Sequence, residues 1–333
     1  MEFNNFNYSP EALLYKPDWP RACERWVAFW ERQPIDRPLI DVKAPRPGEH
    51  KEIPQPASLE DLYFSPDYIA SSAIAMLEST YFGGESVPAP GFLMGGYALG
   101  CGEKVKFDPN TVWHPVIIHS MEEPVNWNPG PNDPWRKKLE KVVDRLLSIA
   151  PGKFLVGYVG QVPVNDLLFL LRGGQNFLMD LVDNIELCCQ RLRETFPLWL
   201  ENFNYFCKLI DSRQKDGCVR GWPGLWSHYF VETTQSDMSC MISTEMFKKY
   251  VMTEMDLLGE KFGRIWYHLD GPGAIRHLPV LLSRPYINVI QYVSGAGAEP
   301  NGHVYLEMYR QIQKAKRCVD ISVPWENVKF LIQ

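Results

Sequence analysis

The pattern of apolar positions along the chain predicts helices alternating with strands. From Asp18 to Glu31, and again from Pro134 to Ile149, apolar residues recur at intervals of three and four, as on one face of a helix. Residues 154–159 instead form a nearly continuous apolar run, which is typical of a parallel strand buried on both faces. A long helical pattern covers 176–210, and Pro197 predicts a break within it.

The last third of the chain repeats a unit of one strand followed by one helix. A strand-like stretch lies between Cys218 and Asp237. After it, helical patterns at 244–262, 274–282 and 304–316 alternate with strand patterns at 264–268, 287–292 and 318–323. This alternation indicates a parallel α/β fold. No internal repeat is present, so we expect one domain over 1–333, with a loop-rich insertion at about 85–132.

Composition narrows the function classes. Over 333 residues, 45% are hydrophobic and 22% are charged, as in globular proteins with a large core. The net charge of −6, without clustered lysines and arginines, argues against a nucleic-acid partner. No run of about 18 apolar residues and no leader pattern is present, so we expect no membrane partner and a cytoplasmic protein. The eight cysteines contain no Cys-x-x-Cys pair, and we expect them to be reduced.

Four short motifs, in order along the chain, resemble the uroporphyrinogen decarboxylase-like superfamily, which includes corrinoid-dependent methyltransferases. They are Asp36-Arg37-Pro38-Leu39, the strand and turn 156–163 leading to Arg172-Gly173-Gly174, the helix start 242–247, and His268-Leu269-Asp270-Gly271. The resemblance implies a (β/α)8 TIM barrel. By its strand count, Cys318 to Val323 is the seventh strand, so either the barrel closes unusually or it lacks its last strand and helix.

Two departures from the family pattern change the expected chemistry. The stretch 43–51 does not reproduce the arginine-rich motif of uroporphyrinogen decarboxylase, which argues against porphyrinogen decarboxylation. Related methyltransferases bind zinc through a His-x-Cys pair, whereas this chain has Asp270 in place of that cysteine. A thiol-activating zinc site is therefore not expected; whether another metal binds is open, and His268 and Asp270 are its candidate ligands.

The candidate catalytic residues are His268, Asp270 and Asp237. Each is predicted at the carboxyl end of a strand, where TIM-barrel chemistry is located. His268 and Asp270 are two residues apart and so project to the same face of a strand. Asp237 facing Asp270 would provide paired carboxylates for acid–base work or for holding a cation. The alternative for these carboxylates is the capping of loops and helices.

Aromatic and amide side chains near the predicted strand ends are candidates for substrate binding: Trp113, Gln161, Trp222, Trp226, His228, Gln235 and Gln291. Aromatic faces stack on sugars and rings and also bind methylammonium cations. The alternative for the tryptophans is ordinary packing in the core. Asn165, at the start of a predicted helix, is interpreted as a helix cap.

Three functions remain open at this point. The first is a methyltransferase that acts on a small molecule together with a corrinoid carried by a partner protein; this chain has no corrinoid-binding Asp-x-His-x-x-Gly motif of its own. The second is a hydrolase or lyase for a polar, carbohydrate-like substrate that uses Asp237, Asp270 and His268. The third is a non-catalytic binder of a small molecule.

Overall fold

The computed structural model describes residues 8–33, 35–48, 52–91, 93–214 and 217–332. The polar segment 1–7 and residues 49–51 of the stretch compared with the arginine-rich motif lie outside the described residues. The helices are α1 (Trp19–Trp30), α2 (Leu59–Phe64), α3 (Pro66–Ser79), α4 (Pro134–Ile149), α5 (Val164–Arg172), α6 (Gly174–Asp211), α7 (Thr244–Met246), α8 (Met252–Phe262), α9 (Leu278–Leu282), α10 (Leu306–Lys314) and α11 (Trp325–Ile332). The strands are β1 (Asp41–Pro45), β2 (Thr80–Gly84), β3 (Lys106–Phe107), β4 (Val112–Trp113), β5 (Cys218–Arg220), β6 (Leu225–Ser227), β7 (Glu232–Thr234), β8 (Ile265–Asp270), β9 (Ile287–Val293) and β10 (Cys318–Ile321).

The predicted alternation of strands and helices is confirmed by a four-stranded parallel sheet. Its strands β7, β8, β9 and β10 are neighbours in chain order, and helices lie between successive strands. The remaining named strands form three antiparallel pairs: β1 with β2, β3 with β4, and β5 with β6. The chain is therefore a mixed α/β protein in which parallel pairing dominates the last third.

Further extended segments run beside one another without forming long ladders. The amide of Leu155 donates to the carbonyl of Pro88 at 2.9 Å, and that of Gly160 donates to Leu93 at 3.0 Å. On the other side, the amide of Tyr158 donates to Val219 of β5 at 3.1 Å. The start of the predicted insertion thus lies against the predicted strand 154–159.

The parallel sheet has a different apolar cluster on each face. Ile265, Tyr267 and Leu269 of β8 belong to the large cluster formed with the surrounding helices. Trp266, between them in the chain, belongs to the second cluster, which includes tryptophans of α1. Side chains alternate along a strand, so His268 and Asp270 project on the same face as Trp266. This alternation separates the helix-covered face of β8 from the face that carries its polar residues.

The predicted break at Pro197 is wrong. Helix α6 continues through Pro197, and its one non-helical residue is Asn184, with φ −154° and ψ 76°. Proline removes one helical hydrogen bond and frees the carbonyl four residues earlier. Here both Pro197 and Arg193 lie on the exposed side of α6, so water can solvate the freed carbonyl, while Phe196 and Trp199 remain buried in the core.

The Asp36-Arg37-Pro38-Leu39 motif makes a structural contact. Both terminal nitrogens of Arg37 donate to the carboxylate of Glu85, at 2.8 and 2.7 Å, and the amide of Ile40 donates to the same group at 2.9 Å. Glu85 is 2% exposed. Arginine–carboxylate pairs with two parallel hydrogen bonds are the stronger kind of ion pair. This pair fixes the chain as it enters β1.

Two further expectations can be compared with the structure. The structure shows no disulfide among the described cysteines, and Cys188 and Cys189 lie in the core as expected. Among the helices of the described residues, none combines the length and the apolar character needed to cross a membrane.

Candidate functional site

His268 lies in a row of polar residues across three adjacent strands. It is in register with Gln291 of β9, and Gln291 is in register with Asp320 of β10. The side-chain oxygen of Gln291 is hydrogen-bonded to Nδ1 of His268. Because an amide oxygen only accepts, Nδ1 of His268 is the donor in this contact.

The ring of His268 packs against two tryptophans that also contact each other. It lies nearly parallel to Trp266, with ring centroids 6.3 Å apart, and perpendicular to Trp222 at 5.4 Å. Trp266 in turn donates its indole N–H to Asp320 at 2.8 Å. Burial raises the pKa of Asp320, the Trp266 hydrogen bond opposes that shift, and the charge of Asp41 adds to it. These contacts fix the His268 ring in one orientation.

Asp237 and Asp270 are brought to the same strand ends as the sequence predicts. Nε2 of His268 lies 4.0 Å from an Asp270 oxygen, and the amide of Gln235 donates to Asp237 at 2.5 Å. Partial burial raises the pKa of Asp237; His268 opposes that shift and the charge of Asp270 adds to it. Each of the three predicted catalytic groups is therefore close enough to influence another.

A further carboxyl beside Asp237 belongs to Asp166, which sequence reasoning did not propose as a site residue. Oδ1 of Asp166 accepts a hydrogen bond from the backbone amide of Asp237 at 2.9 Å, and Asp166 is only 1% exposed. Its Oδ2 is buried and has no hydrogen-bond partner among the described residues. Burial raises the pKa of Asp166 well above its usual range, and the Asp237 charge raises it further. We call Asp166, Gln235, Asp237, His268, Asp270 and Gln291 the strand-end cluster.

Glu254 of α8 holds the start of α5, which carries Asp166. One of its oxygens accepts from the backbone amide of Val164, and the other accepts from the backbone amide and side-chain amide of Asn165, all at 2.7 Å. The prediction that Asn165 caps the helix is wrong. The N-cap is Pro163, without a side-chain cap bond, and a carboxylate from a distant helix takes that role. The Asn165 side chain instead also donates to the carbonyl of Gln235 at 3.0 Å.

Two residues of the loop-rich segment, Tyr97 and His114, complete the surroundings. Gly96 allows this approach, because a Cβ at that position would lie 1.7 Å from the carbonyl oxygen of Gly160. Burial raises the pKa of Tyr97, and the charges of Asp237 and Asp166 add to the shift. Burial lowers the pKa of His114 to about 4, although a hydrogen bond with the Tyr97 backbone opposes it, so this ring is neutral.

The predicted substrate-binding residues divide into two groups. Trp222 and the amides Gln235 and Gln291 lie at the strand-end cluster, and Trp113, 60% exposed, precedes His114 in the chain. Trp226, His228 and Gln161 make their contacts away from the strand-end cluster. Trp226 is 0% exposed and packs edge-on against Trp19 of α1. His228 stacks on Trp226 beside Glu31. The side-chain amide of Gln161 donates to the carbonyl of Trp199 and accepts from the side chain of Asn202, both on α6.

These exclusions have physical causes that spacing does not reveal. A fully buried ring such as Trp226 presents no surface to a ligand, and a Gln161 amide with both ends bonded has little capacity left. Asp166 was missed because an acid in the first turn of a helix is the ordinary signature of a helix start. The signal that could have identified Asp166 was its position after the strand pattern 154–159, near the carboxyl end of that strand.

The metal role considered for His268 and Asp270 gains no third ligand. Within the described ranges of the chain, no group of three or more histidine, cysteine, aspartate or glutamate side chains is arranged to hold a metal ion. The chemistry that the cluster offers is instead protonic. One buried carboxyl with a raised pKa lies beside a second carboxyl, and an imidazole lies beside a third. Groups placed in this way can act as general acids and bases.

Comparison with known proteins gives a likeness of fold. The chain is similar to the solved structure of a methyltransferase from Methanosarcina mazei, with a TM-score of 0.50 and 11% sequence identity, over 93% of this chain and 97% of that one. At this identity the likeness concerns the fold alone. No family model matches the chain, and no curated protein matches it.

Proposed function

We propose that the protein is a methyltransferase that moves a methyl group between a small molecule and a corrinoid carried by a partner protein. The observation that supports it is the likeness in fold to a methyltransferase over nearly the whole of both chains. The strand-end cluster supplies a site for it, since its acids and its histidine converge where parallel strands end.

We infer further that the fold is a (β/α)8 barrel of the uroporphyrinogen decarboxylase-like kind. Eight extended segments support this inference: β1, 88–91 with Leu93, 155–160, β5, β7, β8, β9 and β10. Hydrogen bonds join Pro88 and Leu93 to 155–160 and join 155–160 to β5, and ladders join β7 to β8, β8 to β9 and β9 to β10. In this arrangement the start of the predicted insertion is a barrel strand, and no last strand is missing. The strand-end cluster then lies at the carboxyl end of the barrel, where such enzymes have their active sites.

In the proposed reaction the chain positions the substrate and handles one proton. When the methyl group leaves, the heteroatom keeps the bonding electron pair and becomes more basic. Asp166 and Asp237 hold a proton close by, because their mutual repulsion and burial favour the protonated form of one of them. That proton passes to the heteroatom, and Nε2 of His268 can accept one in the reverse direction. Positioned acids and bases of this kind contribute about 10²–10⁴-fold in rate.

The corrinoid, when bound, supplies the methyl acceptor or donor. The residues around the cluster would then handle the proton and leave the methyl group to the corrinoid. The unpartnered Oδ2 of Asp166 provides a proton site, and Asp270 and Trp222 are exposed. The side on which these two residues are exposed is the one from which a substrate and a cofactor-carrying partner would approach.

A methyl-transfer screen tests the proposal. The protein is incubated with reduced free cobalamin and a panel of N-, O- and S-methylated small molecules, and separately with methylcobalamin and demethylated acceptors. We expect the cobalamin absorbance to change with at least one compound and only when protein is present. A complete screen that shows no spectral change and no methylated product in either direction would contradict the proposal.

A further inference from the structure

The charged groups of the strand-end cluster are acidic. Asp166, Asp237 and Asp270 contribute three carboxyls, and no arginine or lysine in the part of the chain described forms an ion pair with any of them. The nearest turn carries Arg276, whose guanidinium is committed to the carbonyls of Cys240 and Ile242, each at 2.8 Å. An anionic ligand would meet only like charge here.

One oxygen of the buried Asp166 carboxyl lacks a hydrogen-bond partner. Its Oδ2 has no hydrogen bond among the described residues although the side chain is 99% removed from solvent, being 1% exposed. Buried polar atoms are normally paired, and an unpaired one in a functional site indicates a missing ion or ligand. The other oxygen, Oδ1, accepts from the backbone amide of Asp237 at 2.9 Å, so the unpaired oxygen belongs to a carboxyl that borders the cluster.

Aromatic rings border the same carboxyls. Trp222, 37% exposed, stands edge-on to His268, and the charges of Asp237 and Asp166 both act on Tyr97. Carboxylates beside aromatic faces are the arrangement that binds alkylated ammonium groups, because the ring faces are negative and the cation is weakly hydrated. A neutral ligand of equal shape would gain the packing without the charge attraction.

We propose that the strand-end cluster binds a positively charged small molecule of the alkylated ammonium class. This inference rests on the proposed function, since it names the substrate class of the same site. The cation lies between Asp237, Asp270 and the face of Trp222, and it supplies the positive charge that the three carboxyls lack. Anionic methyl acceptors are excluded by the same charges.

Binding of a cation is then linked to proton release. The titratable groups that face Asp166 and Asp237 are His268, Asp270 and Tyr267 of β8, Glu254 of α8, Tyr250 of the π-helical turn before α8, and Tyr97. None is a permanent cation. A bound cation favours the ionised form of the exposed Asp237, so affinity should rise as that carboxyl ionises, while the buried Asp166 keeps the proton used in the transfer.

The test is isothermal titration calorimetry with choline and its uncharged isostere 3,3-dimethyl-1-butanol, at pH 6 and pH 8. We expect choline to bind about tenfold or more tightly than the isostere, the gain typical of a desolvated cation–aromatic site. The preference should be lost in Asp237→Asn and kept in Asp183→Asn, a matched change at an exposed aspartate of α6. Circular dichroism checks that both variants are folded.

Equal affinity for the two probes, tighter binding of 3,3-dimethylbutyrate, or no binding of choline would each overturn the proposal. The outcome is separable from that of the methyl-transfer screen. A choline preference without methyl transfer leaves the cation site standing and contradicts the reaction. Methyl transfer from uncharged compounds alone supports the reaction and contradicts the cation site.

Discussion

Glu254 offers the sharpest test of how the site is built. It is 0% exposed, and its carboxylate accepts three hydrogen bonds from Val164 and Asn165, which are also 0% exposed. Glu254→Ala leaves three buried donors unpaired, each at a cost of about 1–3 kcal/mol, and these costs overlap because the donors share one acceptor. We expect the free energy of unfolding to fall by about 4 kcal/mol, within the range for breaking a buried charged contact. Glu254→Gln keeps one oxygen but turns an NH2 group toward a donor, and about 2 kcal/mol should be lost.

Equilibrium unfolding in urea, followed by tryptophan fluorescence, measures these losses. With a slope of about 3–4 kcal/mol per molar, the midpoint of Glu254→Ala should move down by about 1 M. The control is Glu260→Ala, at an exposed position on the same helix. If Glu254→Ala lies within about 0.5 kcal/mol of Glu260→Ala, the range expected for surface substitutions, the reasoning about this carboxylate is wrong.

Three further predictions follow from other contacts. Burial raises the pKa of Asp166 in the folded state, so the stability that its protonated form contributes is full below the unfolded pKa of about 4 and is lost as pH rises toward the folded pKa. In urea unfolding, Asp166→Asn should therefore gain stability relative to the native chain as pH rises from about 4.5 to 8. Parallel pH profiles of the two proteins would contradict this. Arg220 is 0% exposed and pairs with Asp211 at 2.5 Å, so Arg220→Ala should lower the unfolding free energy by about 3–5 kcal/mol, whereas a loss below 1 kcal/mol in the same assay would refute a buried ion pair. Trp226→Ala should lower the unfolding free energy by about 3–5 kcal/mol, because it leaves a cavity in the apolar cluster that includes the tryptophans of α1. Trp222→Ala should mainly weaken ligand binding. Weaker binding for Trp226→Ala and lower stability for Trp222→Ala would contradict these roles.

The sequence predicted those parts of the fold in which local pattern and burial agree. The alternation of β8, α9, β9, α10 and β10 was visible because parallel strands buried on both faces are short apolar runs between amphipathic helices. The break at Pro197 was wrong because a proline rule considers only the helix, whereas the exposed side of α6 tolerates the lost bond. The end of β8 was placed correctly enough to bring His268 and Asp270 to one face.

Long-range contacts in the site could not be read from spacing. The cap of α5 comes from Glu254, about ninety positions along the chain, so Asn165 received a role that its own neighbourhood favours. Asp166 resembles any acid in a first helical turn until its partner Asp237 is known. Trp222 and Trp226 are four positions apart in similar company, yet the β5–β6 hairpin turns one toward His268 and buries the other against α1.

The proposed function gives Asp237 of the strand-end cluster a part in methyl transfer. The most direct measurement is the initial rate of cobalamin methylation by the native chain, Asp237→Asn and Asp183→Asn, with the methylated compound that the screen identifies. We predict a rate loss of about 10²-fold or more for Asp237→Asn, the usual size of a lost acid–base group, and a native rate for Asp183→Asn. Equal rates for all three proteins would contradict the assignment of the site.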